Sequence, residues 1–120
     1  MSHIDSTVTR YLEVFNEPEA DRRLVLIDAL CTDDYAYTDP LAAVRGKAAF
    51  SELVGVVQKQ FPNVTFVAAG PAEAHHDVAR FRWNAMAPGS TEPLAVGFDV
   101  VTLADGRIRT VVGFLDKAPG

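Results

Sequence analysis

The spacing of apolar residues in this chain changes at Pro62, and this change constrains the fold more than any other feature of the sequence. Before Pro62, apolar residues recur every three or four positions, which is the period of a helix with one buried face. After Pro62 they alternate with polar residues, which is the period of a half-buried strand. Helices grouped before strands are typical of an α+β domain whose helices cover one face of an antiparallel sheet.

Three helices are predicted before Pro62, over residues 5–16, 19–30 and 47–60. Pro18 ends the first helix and Pro62 the third, because proline cannot continue a helix and disfavours the helical conformation of the residue before it. Each helix carries one apolar stripe that can pack on a sheet. The residues expected on these stripes are Val8, Tyr11, Leu12 and Phe15, then Leu24, Ile27, Leu30 and Cys31, then Phe50, Leu53, Val54, Val57 and Phe61.

The alternating pattern predicts four strands after Pro62 and a short strand between the second and third helices. They cover residues 64–67, 78–86, 94–103 and 108–115, with the short strand at 35–39. Successive side chains of a strand point to opposite faces. One face of the strand 78–86 therefore carries Phe81, Trp83 and Ala85, and the other carries Arg80, Arg82 and Asn84.

The Asp-Gly joint between the last two strands decides which residues face each other across the sheet. A three-residue loop would place Asp99 opposite Val111 and set Gly97 beside Gly113, so that two missing side chains leave a hollow near a carboxylate. A two-residue turn would place Asp99 opposite Val112 and break up this cluster. The sequence leaves both arrangements open.

Composition limits the classes of partner and of site. At 120 residues, with 48% hydrophobic and 22% charged residues, the chain is predicted to form one globular domain over residues 1–120. A net charge of −5 argues against nucleic acid or anionic lipid as a partner, and one cysteine excludes an internal disulfide. No stretch approaches the roughly 20 apolar residues of a membrane span, and the N-terminus lacks the apolar segment of a signal peptide. We therefore expect a cytoplasmic protein with no membrane contact.

Asp39 is the strongest candidate for chemistry because it ends a short strand directly before Pro40. Tyr35 and Tyr37 share its strand parity, which places them on or near the same face. If that face lines an apolar pocket, a desolvated carboxylate there can serve as a general base near neutral pH. The alternative is an aspartate that caps a loop in water.

Other catalytic and metal-binding patterns are absent from the sequence. His75 and His76 are adjacent, so they would point to opposite faces of a strand; we expect turn residues and no metal site. There is no Gly-x-Ser-x-Gly and no glycine-rich phosphate loop. Tyr11, Asp39 and Asp99 remain, and the alternative for Tyr11 is a core tyrosine whose hydroxyl bonds to the backbone.

These three residues belong to an ordered set of short motifs. The motifs are Arg10-Tyr11-Leu12-Glu13, the run from Asp33 to Pro40, Arg45-Gly46, Gly70-Pro71, Phe81-Arg82, Asp99-Val100-Val101 and Asp105-Gly106-Arg107-Ile108. In order and spacing they resemble the bacterial ketosteroid isomerases over nearly the whole chain. More broadly, they resemble the nuclear transport factor 2-like superfamily, which also holds SnoaL-like polyketide cyclases, limonene epoxide hydrolase and many non-enzymes.

The resemblance implies a fold, a site and partners. The fold would be a cone-shaped α+β domain, with three N-terminal helices packed on a curved, mainly antiparallel sheet around an apolar pocket. Tyr11 matches the oxyanion-hole tyrosine of the isomerases, Asp39 the proton-shuttling base and Asp99 the protonated acid that shares the oxyanion hole. The reaction would need no cofactor and no metal, and the ligand would be a small hydrophobic carbonyl compound. Its expected contacts are Phe81, Trp83, Leu53, Val101, Val111, Gly97, Gly113 and Leu115. A homodimer through the convex sheet face is also implied, although the arginines of residues 78–86 would make that face polar.

The chain departs from the isomerase pattern at several positions. Cys31 and Val54 stand where the family supports its oxyanion tyrosine with further tyrosines, so no hydrogen-bond network is expected around Tyr11. Trp83 stands in place of a smaller apolar residue and would reduce the room for a large planar ligand. Pro18 lies in an insertion that shifts the entry of the first helix.

Two other functions fit the same residues. A polyketide-cyclase-like or epoxide-hydrolase-like enzyme would use the carboxylates differently; hydrolysis of the limonene type needs an Asp-Arg-Asp arrangement, and Arg82 and Arg109 are expected to lie away from the pocket. A non-catalytic module would only hold a hydrophobic molecule or form a dimer. Every enzyme hypothesis requires Tyr11, Asp39 and Asp99 to converge in one apolar hollow, whereas the binding hypothesis does not.

Overall fold

The computed structural model of the protein describes residues 3–118. Its helices precede most of the strands, as the change of period predicts. The helices are α1 (His3–Asn16), α2 (Ala20–Leu30) and α3 (Lys47–Gln60). The strands are β1 (Cys31–Thr38), β2 (Ala43–Arg45), β3 (Thr65–Ala68), β4 (Glu73–His75), β5 (Val78–Met86), β6 (Ala95–Ala104) and β7 (Arg107–Lys117). Within residues 3–118, no helix has both the length and the apolar character needed to cross a membrane.

The strands form a curved mixed sheet in the order β2-β1-β7-β6-β5-β3, with β4 paired to β5 beyond the end of β3. Strand β1 runs parallel to β7, and the other neighbours are antiparallel. The three helices pack on one face of this sheet. The expected α+β architecture is therefore confirmed, including its mainly antiparallel sheet. The short strands β2 and β4 were not predicted, because three residues are too few to display an alternating pattern.

The helices bury the expected stripes, with one exception in α2. Helix α1 buries Tyr11 and its apolar neighbours, and α2 begins after Glu19, whose carboxylate accepts the backbone N–H of Arg22 at 2.7 Å. Leu24, expected on the inner face of α2, is 39% exposed, and Arg23 is buried in its place. Cys31 is buried as expected, but it is the first residue of β1 rather than the last of a helical stripe.

Helix α2 thus turns Arg23 inward in place of Leu24, and the hydrogen bonds of the buried Arg23 guanidinium explain this orientation. It donates hydrogen bonds to the Ser51 hydroxyl at 3.0 Å, the Glu17 carbonyl at 3.0 Å and the Gln58 side-chain oxygen at 3.1 Å. A buried charge is tolerated only when its donors find acceptors. These bonds join α2 to the segment after α1 and to α3, so one arginine fixes how the helices meet.

The register of the last hairpin differs from both predicted arrangements. Asp105 and Gly106 form a two-residue turn with φ of 53° and 78°, and Ala104 pairs with Arg107. Strand β7 then carries an extra residue, so that Thr102 pairs with Thr110 and Asp99 with Gly113. A bulge of this kind bends the strand and increases its twist. The turn thus has two residues, but the bulge shifts the pairs from Thr102 to Gly97 by one position, and a second irregularity before Val96, which pairs with Lys117, shifts the register again.

The two faces of the sheet have different surroundings. The inner face, covered by the helices, carries Phe81 and Trp83 of β5 together with Asp99 of β6. The outer face of β5 is polar, as expected from Arg80, Arg82 and Asn84. The outer faces of β6 and β7 are apolar: Val112 is 41% exposed and Phe114 is 51% exposed. The expectation of a polar convex face is therefore wrong for the centre of the sheet.

Replacement of Arg23 tests how far this side chain stabilises the helical layer. We expect Arg23→Met to lower the free energy of unfolding by about 2–4 kcal/mol, because one buried and two partly buried acceptors lose their donor. Denaturant unfolding followed by circular dichroism measures the change. Arg22→Met is the matched control, since the exposed Arg22 side chain makes none of these bonds, and it should change stability by less than about 0.5 kcal/mol. Equal effects of the two variants would contradict this account of Arg23.

Candidate functional site

A cavity of about 480 Å³ lies between the helices and the inner face of the sheet. Its wall is largely apolar. The lining residues are Tyr11, Leu12, Phe15, Tyr37, Asp39, Leu41, Val57, Gln60, Phe61, Val64, Phe66, Trp83, Ala85, Leu94, Ala95, Asp99, Leu115 and Ala118. The volume is in the range of sites for small organic ligands. Tyr11, Asp39 and Asp99 all reach this wall, so the predicted convergence in one apolar hollow is found.

Asp99 projects from β6 into this space and is only 3% exposed. The pKa of its carboxyl is raised to about 7, mainly by burial and also by the nearby charge of Asp39, while a hydrogen bond from Trp83 and the nearby Tyr11 hydroxyl act in the opposite direction. A carboxyl with this pKa is about half protonated at neutral pH. It can therefore donate a hydrogen bond under conditions where an ordinary aspartate cannot.

Asp39 follows the last residue of β1 and is held by three hydrogen bonds. Its Oδ2 accepts the Tyr37 hydroxyl at 2.6 Å, and its Oδ1 accepts the backbone N–H groups of Leu41 at 2.8 Å and Ala42 at 2.9 Å. Asp39 thus caps the turn after β1, as the loop interpretation supposed, and also lines the cavity, as the catalytic interpretation required. The bonds fix the direction of the carboxylate.

The side chains of Asp39 and Asp99 lie on either side of Gly113. Thr38 pairs with Val112 of β7, so the next residue, Asp39, comes beside Gly113, while Asp99 pairs with Gly113 from β6 on the other side. A Cβ atom on Gly113 would lie 2.9 Å from Asp99 Oδ1 and 3.4 Å from Asp39 Cβ. A side chain here would collide with the Asp99 carboxyl. The missing side chain therefore leaves room for the two acids to share one wall.

Tyr11 is buried in an aromatic cluster at the same end of the cavity. Its ring centre is 5.5 Å from that of Phe15 and 5.7 Å from that of Phe81. Burial raises the pKa of Tyr11 well above its ordinary value. Its hydroxyl and that of Tyr35 are both buried, and neither has a hydrogen-bond partner within residues 3–118. Such unpaired groups are costly and are unusual in a core that serves only for stability.

Further tyrosines do surround Tyr11, although not from the positions that the isomerases use. Tyr35 and Tyr37 of β1 take this place, and both lie near enough to raise the pKa of Tyr11. Cys31 and Val54 are fully buried apolar fillers, as their residue types suggest. The predicted lack of a hydrogen-bond network around Tyr11 holds, although two other tyrosines are its neighbours. The shared strand parity of Tyr35, Tyr37 and Asp39 was the available signal.

Trp83 lines the cavity without filling it. A Cβ atom on Gly97, its partner across the sheet, would lie 2.0 Å from the indole ring, so the ring occupies the space that Gly97 leaves free. Its N–H donates to Asp99 Oδ1 at 3.1 Å, and Phe66 packs against it with ring centres 5.4 Å apart. Trp83 was expected to reduce the room for a large planar ligand; it does line the cavity, but Gly97 accommodates its ring and a volume of about 480 Å³ remains.

The predicted ligand contacts divide into two groups. Trp83 and Leu115 line the cavity. The other six residues, which do not appear on its wall, are Phe81, Leu53, Val101, Val111, Gly97 and Gly113. Phe81, Val101 and Val111 belong to the buried core, and Leu53 packs against it. Gly97 is covered by the Trp83 indole, and Gly113 is covered by the Asp99 carboxyl.

Several lining residues were interpreted as core positions or not considered. Leu12, Phe15, Val57 and Phe61 lie on predicted helical stripes, and a stripe does not reveal whether it faces protein or an empty cavity. Leu41 is 81% exposed at the wall beside Asp39. The helical period therefore identified five of the eighteen lining residues, counting Tyr11, without distinguishing them from the core.

Other polar residues lie outside the cavity wall. Arg82 pairs with Asp116 at 3.4 Å and Arg109 with Asp34 at 3.0 Å, both on the exposed surface, as expected. His75 ends β4, and among residues 3–118 no group of three or more histidine, cysteine, aspartate or glutamate side chains could hold a metal ion. Burial raises the pKa of the Cys31 thiol to about 12, which leaves it unreactive.

The fold and the carboxyl-lined cavity define an α+β domain in which helices close an apolar chamber over a curved sheet. Residues 8–111 match the SnoaL-like domain, and the chain belongs to this SnoaL-like family within the nuclear transport factor 2-like superfamily. No match to a curated protein was found.

Solved structures agree with this assignment. A SnoaL-like family protein from Agrobacterium tumefaciens, named as a candidate isomerase, is 33% identical with a TM-score of 0.91, and the match covers 97% of this chain and 99% of that one. A candidate ketosteroid isomerase from Kribbella flavida is 19% identical with a TM-score of 0.69, covering 96% and 78%. A candidate SnoaL-like polyketide cyclase from Jannaschia is 18% identical with a TM-score of 0.69, covering 92% and 85%. The last two show a common fold only.

The raised pKa of Asp99 predicts how stability depends on pH. Between about pH 4 and pH 7 the folded protein keeps the Asp99 proton while the unfolded chain loses it, so the free energy of unfolding should fall as pH rises. A pKa of about 7 in place of 3.8 corresponds to about 4 kcal/mol over the full window. In Asp99→Asn, which has no proton to lose, this decline should be absent. Urea unfolding of both proteins at several pH values measures the difference, and parallel curves would contradict the prediction.

Proposed function

We propose that this protein is a cofactor-independent isomerase that moves a proton next to a carbonyl group of a small apolar ligand. One observation carries the proposal: two carboxyl groups with different surroundings share the wall of an apolar cavity on either side of Gly113. Asp39 is only partly buried and is held as a hydrogen-bond acceptor, whereas Asp99 is buried and has a pKa of about 7. Paired acids in unlike surroundings are typical of proton-transfer sites.

Asp39 would act as the base. In a β,γ-unsaturated ketone, the carbon between the carbonyl and the double bond carries an acidic proton, and Asp39 would remove it. The resulting dienolate has negative charge on its oxygen. Asp39 would then return the proton two carbons along, which yields the conjugated ketone and restores the carboxylate. No atom or electron leaves the ligand, so no co-reactant is needed.

Asp99 would stabilise the charge that develops on the ligand oxygen. A protonated carboxyl donates a hydrogen bond that strengthens as the oxygen becomes negative, and this difference lowers the barrier. Ionised Asp99 would repel the dienolate. We assign the second hydrogen bond to Tyr11, whose buried hydroxyl lies near Asp99 and lacks a partner. The ligand oxygen would supply the acceptor that this hydroxyl does not have.

The rival enzymes differ in what they require of the same cavity. Epoxide hydrolysis with an Asp-Arg-Asp arrangement needs an arginine on the wall, and Arg82 and Arg109 are paired with other acids on the surface. A polyketide-cyclase reaction would begin with the same proton removal but end in a new carbon–carbon bond. Product analysis separates these two, and a binding module would show ligand affinity with no turnover.

Asp39→Asn tests the assigned base. With a β,γ-unsaturated ketosteroid as substrate, formation of the conjugated ketone is followed by ultraviolet absorbance. We expect the variant to lose about 10²-fold to 10⁴-fold in kcat, because the amide cannot accept the proton. Binding of a phenol that mimics the dienolate should remain equal or become tighter, since a neutral amide replaces a negative charge.

The control for this experiment is Asp34→Asn. Asp34 is an exposed acid of β1 that pairs with Arg109, so it should leave turnover unchanged. Unchanged turnover in Asp39→Asn would remove Asp39 from the mechanism. Phenol binding without turnover in the wild-type protein would favour the non-catalytic binding module.

We also propose that the protein forms a homodimer through the apolar outer face of β6 and β7. Phe98 and Phe114 lie with ring centres 6.3 Å apart at the middle of this face. At the edge of the face, Arg82 lies over the Phe98 ring. A two-fold axis through the patch would set apolar side chains against their own copies and leave the charges at the rim.

Phe114→Lys tests this interface. Two lysines brought together at the centre of the patch would repel each other in an apolar setting, so we expect the variant to be a monomer by light scattering. Val56→Lys is the control, because Val56 is exposed to nearly the same extent, 50% against 51%, but lies on α3 away from the sheet face. A monomeric wild-type protein would overturn the proposal.

A further inference from the structure

The indole of Trp83 is held in one orientation by its neighbours. The ring occupies the space above Gly97, where a Cβ atom would lie 2.0 Å from the ring carbons and 2.5 Å from Nε1. Phe66 packs against the ring from β3. With this support the N–H points along the sheet to Asp99, the diagonal neighbour of Trp83 on β6. Diagonal neighbours on a sheet are within reach of a large aromatic side chain.

Asp99 is constrained from the opposite side as well. Its Oδ1 lies 2.9 Å from the position that a Cβ of Gly113 would take, so the carboxyl fits into the gap left by that glycine. The same oxygen accepts the Trp83 N–H at 3.1 Å. The two glycines, Gly97 and Gly113, therefore admit one side chain each, and the two side chains meet at a single hydrogen bond.

We propose that Trp83 is a positioning residue for Asp99. The indole N–H of Trp83 holds Asp99 Oδ1 as an acceptor, so that a proton on this carboxyl is carried by Oδ2. This inference rests on the proposed function for its meaning in catalysis, because it specifies which oxygen donates to the ligand. The geometric claim itself concerns only Trp83 and Asp99. Trp83 would therefore act by orienting the Asp99 carboxyl and not only as an apolar residue of the wall.

The same hydrogen bond also affects the pKa of Asp99, which burial raises. An N–H donor favours the ionised carboxyl, so the bond holds the pKa below the value that burial alone would give. The other titratable groups near Asp99 are Asp39 from the turn after β1, Tyr11 from α1, and Tyr35 and Tyr37 from β1. The tyrosines remain neutral because burial raises the pKa of each. Near neutral pH, Asp39 is thus the remaining charge that acts on the pair.

The single tryptophan of the chain makes this inference testable without a substrate. In ¹H–¹⁵N spectra the indole N–H gives one resonance, which should move between about pH 5 and about pH 9 with a midpoint near 7 as its acceptor ionises. The step should vanish in Asp99→Asn. In Asp39→Asn it should persist with a lower midpoint, because a negative charge that raises the pKa of Asp99 has been removed.

Trp83→Phe removes the donor and keeps an aromatic ring on Gly97. The midpoint of Asp99, followed by the ¹³C resonance of its carboxyl, should rise by about one pH unit or more, which is the size expected for a hydrogen bond to a charged group. Phe66→Leu is the matched control, since it loses ring packing but keeps the N–H, and it should shift the midpoint by less.

The outcomes separate this inference from the proposed function. An indole resonance that does not move with pH in the wild-type protein would overturn it, and this measurement needs no variant to fold. An unchanged Asp99 midpoint in folded Trp83→Phe would overturn it too. Neither result depends on turnover, so the protein can fail as an isomerase while the role of Trp83 stands, and the reverse also holds.

Discussion

The burial of the Asp99 carboxyl is the constraint on which the rest of the site depends. A carboxyl that is 3% exposed loses its hydration, and an ionised group there would be costly without several donors. The sheet supplies one donor, the Trp83 N–H, and the result is an acid that is poised between its two forms near neutral pH. Loss of this donor would shift the pKa of Asp99 upward, and a further donor would shift it downward.

Two glycines make this arrangement sterically possible. Glycine weakens a strand interior because it offers no side chain to pack. In β6 and β7 that loss is offset by what enters the vacant space: the indole above Gly97 and the carboxyl beside Gly113. The unpaired hydroxyls of Tyr11 and Tyr35 are a second local cost, and Tyr11 lies on the cavity wall. Departures from optimal packing and pairing are thus concentrated around one group of residues, as is typical of functional sites.

The sequence predicts the elements better than it predicts their relative positions. The limits of α3 and β5 follow from helical and strand periods, and the convergence of Tyr11, Asp39 and Asp99 follows from the resemblance to the isomerases. The register of β7 does not, because the extra residue near Arg109 has no local sequence signal. The burial of Arg23 was also missed, since its acceptors Ser51 and Gln58 lie far along the chain. Periodicity is local information, whereas the cavity is defined by contacts between distant segments.

The parallel pairing of β1 with β7 has a consequence for how the molecule assembles. The segment that carries Asp39 is made early in synthesis, but its neighbour Gly113 belongs to the last strand. Closing so long a loop costs entropy before the contact returns any stabilisation, and folds dominated by such distant pairings form slowly. A ribosome-bound chain that lacks β7 would leave the edge of β1 and the aromatic layer beneath it uncovered. The chamber is therefore incomplete in a chain that lacks β7, and its two acids share one wall only once β7 is paired with both β1 and β6.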